Sequence, residues 1–217
     1  MLIVGCAFII MQDGCNEGTL EVSQNNDNLN RNNEKPCAIN TTKNENRIEL
    51  AVQWAIRIAE NDKHGYSQGY ENATLDCPYT GSREGPDYDC ASLVYYALDY
   101  AGFPIINAWR ENPSYYNLYK GKQATGDADT VWPDLKKIGG FRKYSWDEIC
   151  NDLHRGDILC RPDTHVSIYI GNGKTVEARG VNNPHGGDWI TGDQGGEIDF
   201  YSAYGRSWTE VYRYIGE

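Results

Sequence analysis

From Ile48 onward the apolar residues Ile48, Ala51, Val52, Ala55, Ile56 and Ala59 recur every three or four positions. That spacing predicts an amphipathic helix beginning near Asn46. A second apolar run, ASLVYYAL, follows Cys90 and predicts a helix that starts at or just before Cys90. It ends by Gly102, a residue suited to a left-handed cap. Residues 65–88, between the two helices, are rich in Gly, Pro and Tyr and read as a loop. Residues 104–144 show no sustained period and read as mixed and loop-rich. SWDEICNDL (145–153) predicts a short helix capped by Ser145. Alternation then takes over. GDILC (156–160), HVSIYI (165–170), KTVEARG (174–180) and WTEVYRYI (208–215) predict strands, with a tight turn at GNG (171–173). Helices first and antiparallel strands later predict an α+β domain.

The stretch ahead of the first helix is different. MLIVGCAFIIM is apolar for eleven residues, too short to span a bilayer, and resembles the apolar part of a signal peptide or a strand or helix stub. Residues 12–46 are Asn-rich and polar without periodicity, as expected of a prosegment or linker. The chain therefore divides into a signal-like, prosegment or linker region (1–46) and a domain (47–217). At 217 residues it is long enough for one real core plus an appendage.

Composition narrows the class. The net charge of −11 argues against nucleic acid or an anionic membrane as partner. Sixteen Tyr and six Trp beside four Phe and two Met suit a secreted, β-containing domain. Seven cysteines stand at 6, 15, 37, 77, 90, 150 and 160, with no C-x-x-C pair and no zinc-type spacing, so no metal is expected. With Cys90 set aside, six remain, a number able to pair in an oxidising compartment. Sequons at Asn40 and Asn72 fit a secreted product.

Cys90 is set aside because of where it stands, directly after Asp89 at the point where loop becomes helix. A free thiol, with pKa near 8.5, is only about 3% ionised at pH 7. A helix N-terminus adds about 0.3–1 kcal/mol, less than one pKa unit. A nucleophilic thiol needs more, and an imidazole that becomes imidazolium beside it supplies the larger part. Four histidines compete. His64 and His154 lie in polar connections and His185 in a Gly-rich loop, all expected at the solvated surface. His165 instead opens a strand. The turn at 171–173 brings Glu177, twelve residues on, near it on the neighbouring strand. A carboxylate there fixes the imidazole tautomer and steadies its cation.

These stretches together, DYDCASLVYYALDYAGF, LHRGDILC, HVSIYIGNGKTVEA and GDQGGEI, resemble the NlpC-type cell-wall cysteine peptidases, closest to their phage-lysin-like branch. The resemblance covers about residues 47–217. It implies a papain-like fold, with N-terminal helices packed on a central antiparallel β-sheet, and a monomer acting on bacterial peptidoglycan stem peptides without a cofactor. It makes Cys90 the nucleophile, His165 the base and Glu177 the third polar group. Asp89 matches the acidic residue that holds the substrate's free amine. Ala91 stands where the family commonly has Ser. Tyr66 takes the place of a tyrosine near the oxyanion site, with Tyr79 and Tyr88 as rivals. Residues 70–84, with Cys77, look like an insertion. The implied reaction is cleavage between D-glutamate and the diamino acid by a secreted enzyme. The alternatives are an amidase cutting between muramic acid and L-alanine, and a silent wall- or partner-binding module with Cys90 held in a disulfide.

Overall fold

A computed structural model describes residues 43–69, 83–112, 125–179, 191–192 and 196–216, with the side chains of 43–46 left aside. All of them fall in one unit, Thr41–Glu217. The expected signal-like, prosegment or linker region lies outside the described residues apart from the first turn of a helix. So do both sequons, Cys77, Tyr79 and His185.

Helix α1 (Lys43–Ala59) carries the predicted apolar stripe, and its Ala51, Val52 and Ala55 are buried. α2 (Cys90–Tyr100) follows and buries Leu93, Val94, Ala97 and Leu98. It stops as expected: Gly102 adopts φ 82°, which only glycine takes without strain. Two helices stand where a loop-rich stretch was expected. α3 (Ile105–Arg110) buries Ile105, Ile106 and Trp109 in a single short segment behind Pro104. α4 (Val131–Ile138) buries Val131, Asp134 and Leu135. Neither is long enough to repeat its apolar face, so periodicity had nothing to register.

The sheet comprises β1 (Phe141–Ser145), β2 (Ile158–Arg161), β3 (His165–Gly171), β4 (Lys174–Ala178), β5 (Ile198–Ser202) and β6 (Glu210–Tyr214). Every neighbouring pair is antiparallel, in the order β1-β6-β2-β3-β4-β5. The fold class is α+β, as the order of helices and strands predicted. β1 and β5 were not predicted. Both are edge strands, and FRKYS leaves only partly buried side chains, so it shows no clean alternation. The short helix α5 (Trp146–Ile149) begins where expected, with Ser145 N–H and Oγ both donating to Glu148.

Each sheet face has its own core. Val166 and Ile168 of β3 and Val176 and Ala178 of β4 pack with α1, α2 and α4 residues. Leu159, Tyr169, Val211, Ala203 and Trp208 form a smaller cluster with Ile149 of α5 on the opposite face. Strand alternation sends His165 and Glu177 to that second face, away from the helical core. Both nonetheless sit at the end of β3 and β4 that α2 approaches. Cys160, counted among six cysteines free to pair, is a buried thiol whose Sγ donates to Ala128 O at 3.6 Å.

Candidate active site

α2 opens on Cys90 because Asp89 stops the chain there. Asp89 has extended backbone (φ −91°, ψ −178°) and accepts the Ser92 N–H at 2.7 Å, while its own N–H donates to Ser92 Oγ at 2.9 Å. This reciprocal cap leaves the Cys90 backbone at the first helical position. The other Asp89 oxygen lies 2.5 Å from Arg83 Nε, with the two side chains only 10% and 3% exposed. Arg83 also donates to Thr125 O at 3.3 Å and Gly126 O at 3.0 Å, and lies 3.4 Å from Asp127. Asp89 is thus both cap and ion-pair partner. Arg83, from the stretch read as an insertion, stitches the start of α2 to the 125–127 loop.

Cys90 is half-buried and lines a cleft. Burial pushes the thiol up to about 12, and the Asp89 charge adds to the effect. The Val166 backbone hydrogen bond and Arg83 oppose this without prevailing. The expected acidification by the helix terminus is therefore outweighed in the resting site. Val166 follows His165 in the chain, so the sulfur sits beside the start of β3.

His165 is paired across the sheet. Its Nε2 lies 2.9 Å from Glu177 Oε2. β4 pairs with β3 through Ile168↔Val176. Continuing that register sets Glu177 opposite Ser167, one same-face step from His165, a diagonal within reach of long side chains. Glu177 is fully buried and also accepts the Thr175 hydroxyl at 2.7 Å, with Arg206 Nε at 3.2 Å. Burial works to raise its carboxyl. The His165 hydrogen bond and charge, Thr175 and Arg206 overcome that and hold it below the ordinary carboxylate value. An ionised Glu177 can only accept, so Nε2 carries a hydrogen, and in the neutral imidazole Nδ1 is then the basic nitrogen. Among the described residues no hydrogen bond joins Cys90 directly to His165. Trp208 braces the imidazole from one side, with ring centroids 5.7 Å apart and planes at 17°, and its own N–H donates to Ala203 O at 2.9 Å.

A cavity of about 330 Å³ is lined by Tyr66, Asp89, Cys90, Ala91, Asp129 and Asp163, among others. Tyr66 therefore faces the cleft, with its hydroxyl accepting from Gln68 at 2.9 Å. Tyr88 does not line it. That ring packs against Trp54, His64 and Tyr96 instead. Ala91 is buried and lines the cleft without a hydroxyl. The Tyr66 loop is fixed from below: Tyr66 N–H donates to Glu197 at 2.7 Å, while Gly65 and Gly192 N–H groups both donate to Asp87, at 2.8 and 3.0 Å. Glu197 is fully buried. The motif GDQGGEI thus supports the tyrosine loop, although residues 193–195 within it lie outside the described residues.

Of the other histidines, His154 is exposed and 3.2 Å from Asp152. His64 is not simply solvated: its Nδ1 lies 2.6 Å from Pro86 O. Sequence reasoning missed Arg83, Trp208, Arg206 and Glu197. Glu197 stood inside the GDQGGEI motif without a role assigned; the other three carried no local signal, since each acts through a partner distant in the chain.

No family model matches the chain, and no curated protein does. Solved structures do. NlpC1 from Trichomonas vaginalis is matched with TM-score 0.40 and 17% identity over 79% of this chain and 45% of that one. The P60 domain of antigen MAP1204 from M. avium subspecies paratuberculosis is matched with TM-score 0.37 and 19% identity, over 78% and 98%. Rv1477, a hypothetical invasion protein of Mycobacterium tuberculosis, gives 0.37 and 20%, over 78% and 64%. The chain is similar to NlpC and P60 proteins. It spans less than half of the first of these structures and 64% of the third.

Proposed function

We propose that the protein is a cysteine hydrolase of peptidoglycan stem peptides, cutting between D-glutamate and the diamino acid. The observation that carries the reading is the His165–Glu177 pair, 2.9 Å apart, at the strand end beside the α2 N-terminus that bears Cys90. Among the described residues Cys90 is a free thiol, which supports this reading over a silent module with Cys90 held in a disulfide. In the proposed reaction His165 Nδ1 takes the Cys90 proton as sulfur adds to the amide carbon. The Cys90 backbone N–H, a first-turn donor that the helix cannot use, faces the developing oxyanion. Collapse returns the proton to the leaving amine and leaves a thioester, which water then hydrolyses. Glu177 steadies the imidazolium throughout. The acidic cleft beside Cys90, with Asp129 and Asp163, suits a substrate ammonium. This reading has the protein working outside the cell membrane, as a secreted antibacterial or wall-remodelling enzyme.

A second reading has one observation in its favour. Asp89 already caps α2 and is paired with Arg83, so its carboxylate is not spare for a free L-alanine amine. That favours the amidase, whose substrate has no free amine at that point. Mass spectrometry of digested, purified peptidoglycan separates the two. Release of L-Ala-D-Glu by the wild type, and not by Cys90→Ala, is the expected result. Release of intact stem peptides establishes the amidase. No new product, or equal products from Cys90→Ala, removes the cysteine hydrolase.

A further inference from the structure

Two cavities meet at Thr164. The cleft already described holds Cys90 with Asp89, Asp129 and Asp163. A second cavity, of about 280 Å³, is lined by His165, Trp208, Arg161, Arg206 and Ser207. The tight turn from Arg161 to Thr164 divides them. Thr164 N–H donates to Arg161 O at 3.1 Å, and Asp163 takes the left-handed φ of 60° that aspartate tolerates. Asp163 thereby lines the first cavity and Arg161 the second. Charge changes sign across the catalytic pair. In a chain of net charge −11, a cavity lined by two guanidinium groups, with no carboxylate among its described residues, is a local reversal.

The two arginines are unequally engaged. Arg206 Nε lies 3.2 Å from Glu177, so part of its charge is matched. Arg161 Nε donates to the Thr164 hydroxyl at 3.2 Å, and among the described residues no carboxylate pairs with it. A hydroxyl holds the guanidinium in place without neutralising it. Guanidinium matches carboxylate geometry in a bidentate fork, and the Trp208 ring supplies a rigid wall beside it.

Chemistry decides which part of a substrate arrives there. His165 returns its proton to the departing amine, so the residue that owns the amine lies on the His165 side. The acyl part stays with Cys90. We infer that the Arg161–Arg206 cavity is a leaving-side subsite for a carboxylate borne by the residue whose amine is released. This rests on the hydrolase reading above and names its substrate more closely. Two sources supply such a group: the released residue's own α-carboxylate, or a side-chain carboxylate of a diamino diacid.

Three peptides test it: L-Ala-γ-D-Glu-L-Lys, the same peptide as its C-terminal amide, and one ending in α-amidated diaminopimelate. The wild type should cut a carboxylate-bearing peptide about tenfold or more faster than the lysine amide. The arm that gains the rate identifies the source. Arg161→Gln should bring the ratio close to one. Equal rates on all three peptides, or a ratio that survives Arg161→Gln, overturns the subsite. A second measurement needs no turnover. Arginine Nε–H signals of the full Cys90→Ala chain are followed by NMR during titration with lysine, lysinamide and α-amidated diaminopimelate. Shifts at Arg161 with carboxylate-bearing ligands only, alongside peptides that stay uncut, sink the endopeptidase reading and keep the subsite. Absence of shifts and of any carboxylate preference sinks the subsite, whatever is cut.

Discussion

On Glu177 an imidazole, a hydroxyl and a guanidinium converge, all against a fully buried carboxylate. Its lowered pKa has a defined consequence. A carboxyl depressed by folding contributes stability above its unfolded value, about 4.3, and loses it as pH falls through the lower folded value. The melting-temperature gap between wild type and Glu177→Gln should therefore be widest near neutral pH and close in acid. Turnover of that variant should drop by roughly a hundredfold, because the amide orients His165 without balancing its charge. Equal activity in Glu177→Ala and wild type would make Glu177 structural only. Cys90 gives a second test at this scale. With its thiol pushed up to about 12, alkylation by a neutral haloacetamide should be slower at pH 7 than for a simple thiol. It should then climb steadily through pH 9. A rate already level from pH 6 upward would mean a preformed thiolate–imidazolium pair, contrary to the buried, protonated resting state.

At the scale of elements, the parts legible in the sequence are those with long or regular patterns. α2 announced itself through Asp89, an unbroken apolar run and Gly102. β3 and β4 did so through alternation around a Gly-rich turn, which is why the His165–Glu177 approach was readable before any coordinates. Tyr66 was readable only as one of three tyrosines. What separated it from Tyr88 is tertiary: buried Glu197 and Asp87 hold the loop that aims it. Arg83 was hidden for the same reason, in a stretch that reads as an insertion relative to the family the sequence resembles. Its replacement by Ala should cost about 3–5 kcal/mol, since Asp89 would remain buried without its cation. Thermal melts read this directly, and a loss below about 1 kcal/mol would mean the pair is screened by water. Gly65 offers a milder probe of the loop. A Cβ there would stand 2.1 Å from Gly192 O and 2.7 Å from Glu197, so Gly65→Ala must shift the contact between the Tyr66 loop and the 192–197 segment that holds it. Lower kcat with an unchanged response to haloacetamide would locate the damage in the tyrosine loop.

For the whole molecule, the division that composition suggested between a polar leader and a domain has a measurable form. α1 begins at Lys43, slightly earlier than the sequence pattern predicted, so a truncation that spares the helix is made before it. Among the described residues, the elements that support the candidate site all lie after that point: α2 with Cys90, the β3–β4 pair, the 203–209 segment with Arg206 and Trp208, and the loop held by Glu197. Both cores, as far as the described residues form them, are built from residues 48–214. A chain starting at residue 43 should therefore melt within about 3 °C of the full chain, a difference of less than about 1 kcal/mol for a domain of this size. A larger loss would mean that the first 42 residues contribute to the core. Activity on purified peptidoglycan then reads the leader's role. A segment lying across the acidic cleft occupies the place of substrate, so its removal raises kcat/KM. A spacer left after export occupies nothing, and its removal leaves kcat/KM as it was. Adding the 1–42 segment back as a separate peptide completes the test, because only a true prosegment restores inhibition, competitively and with a fixed Ki.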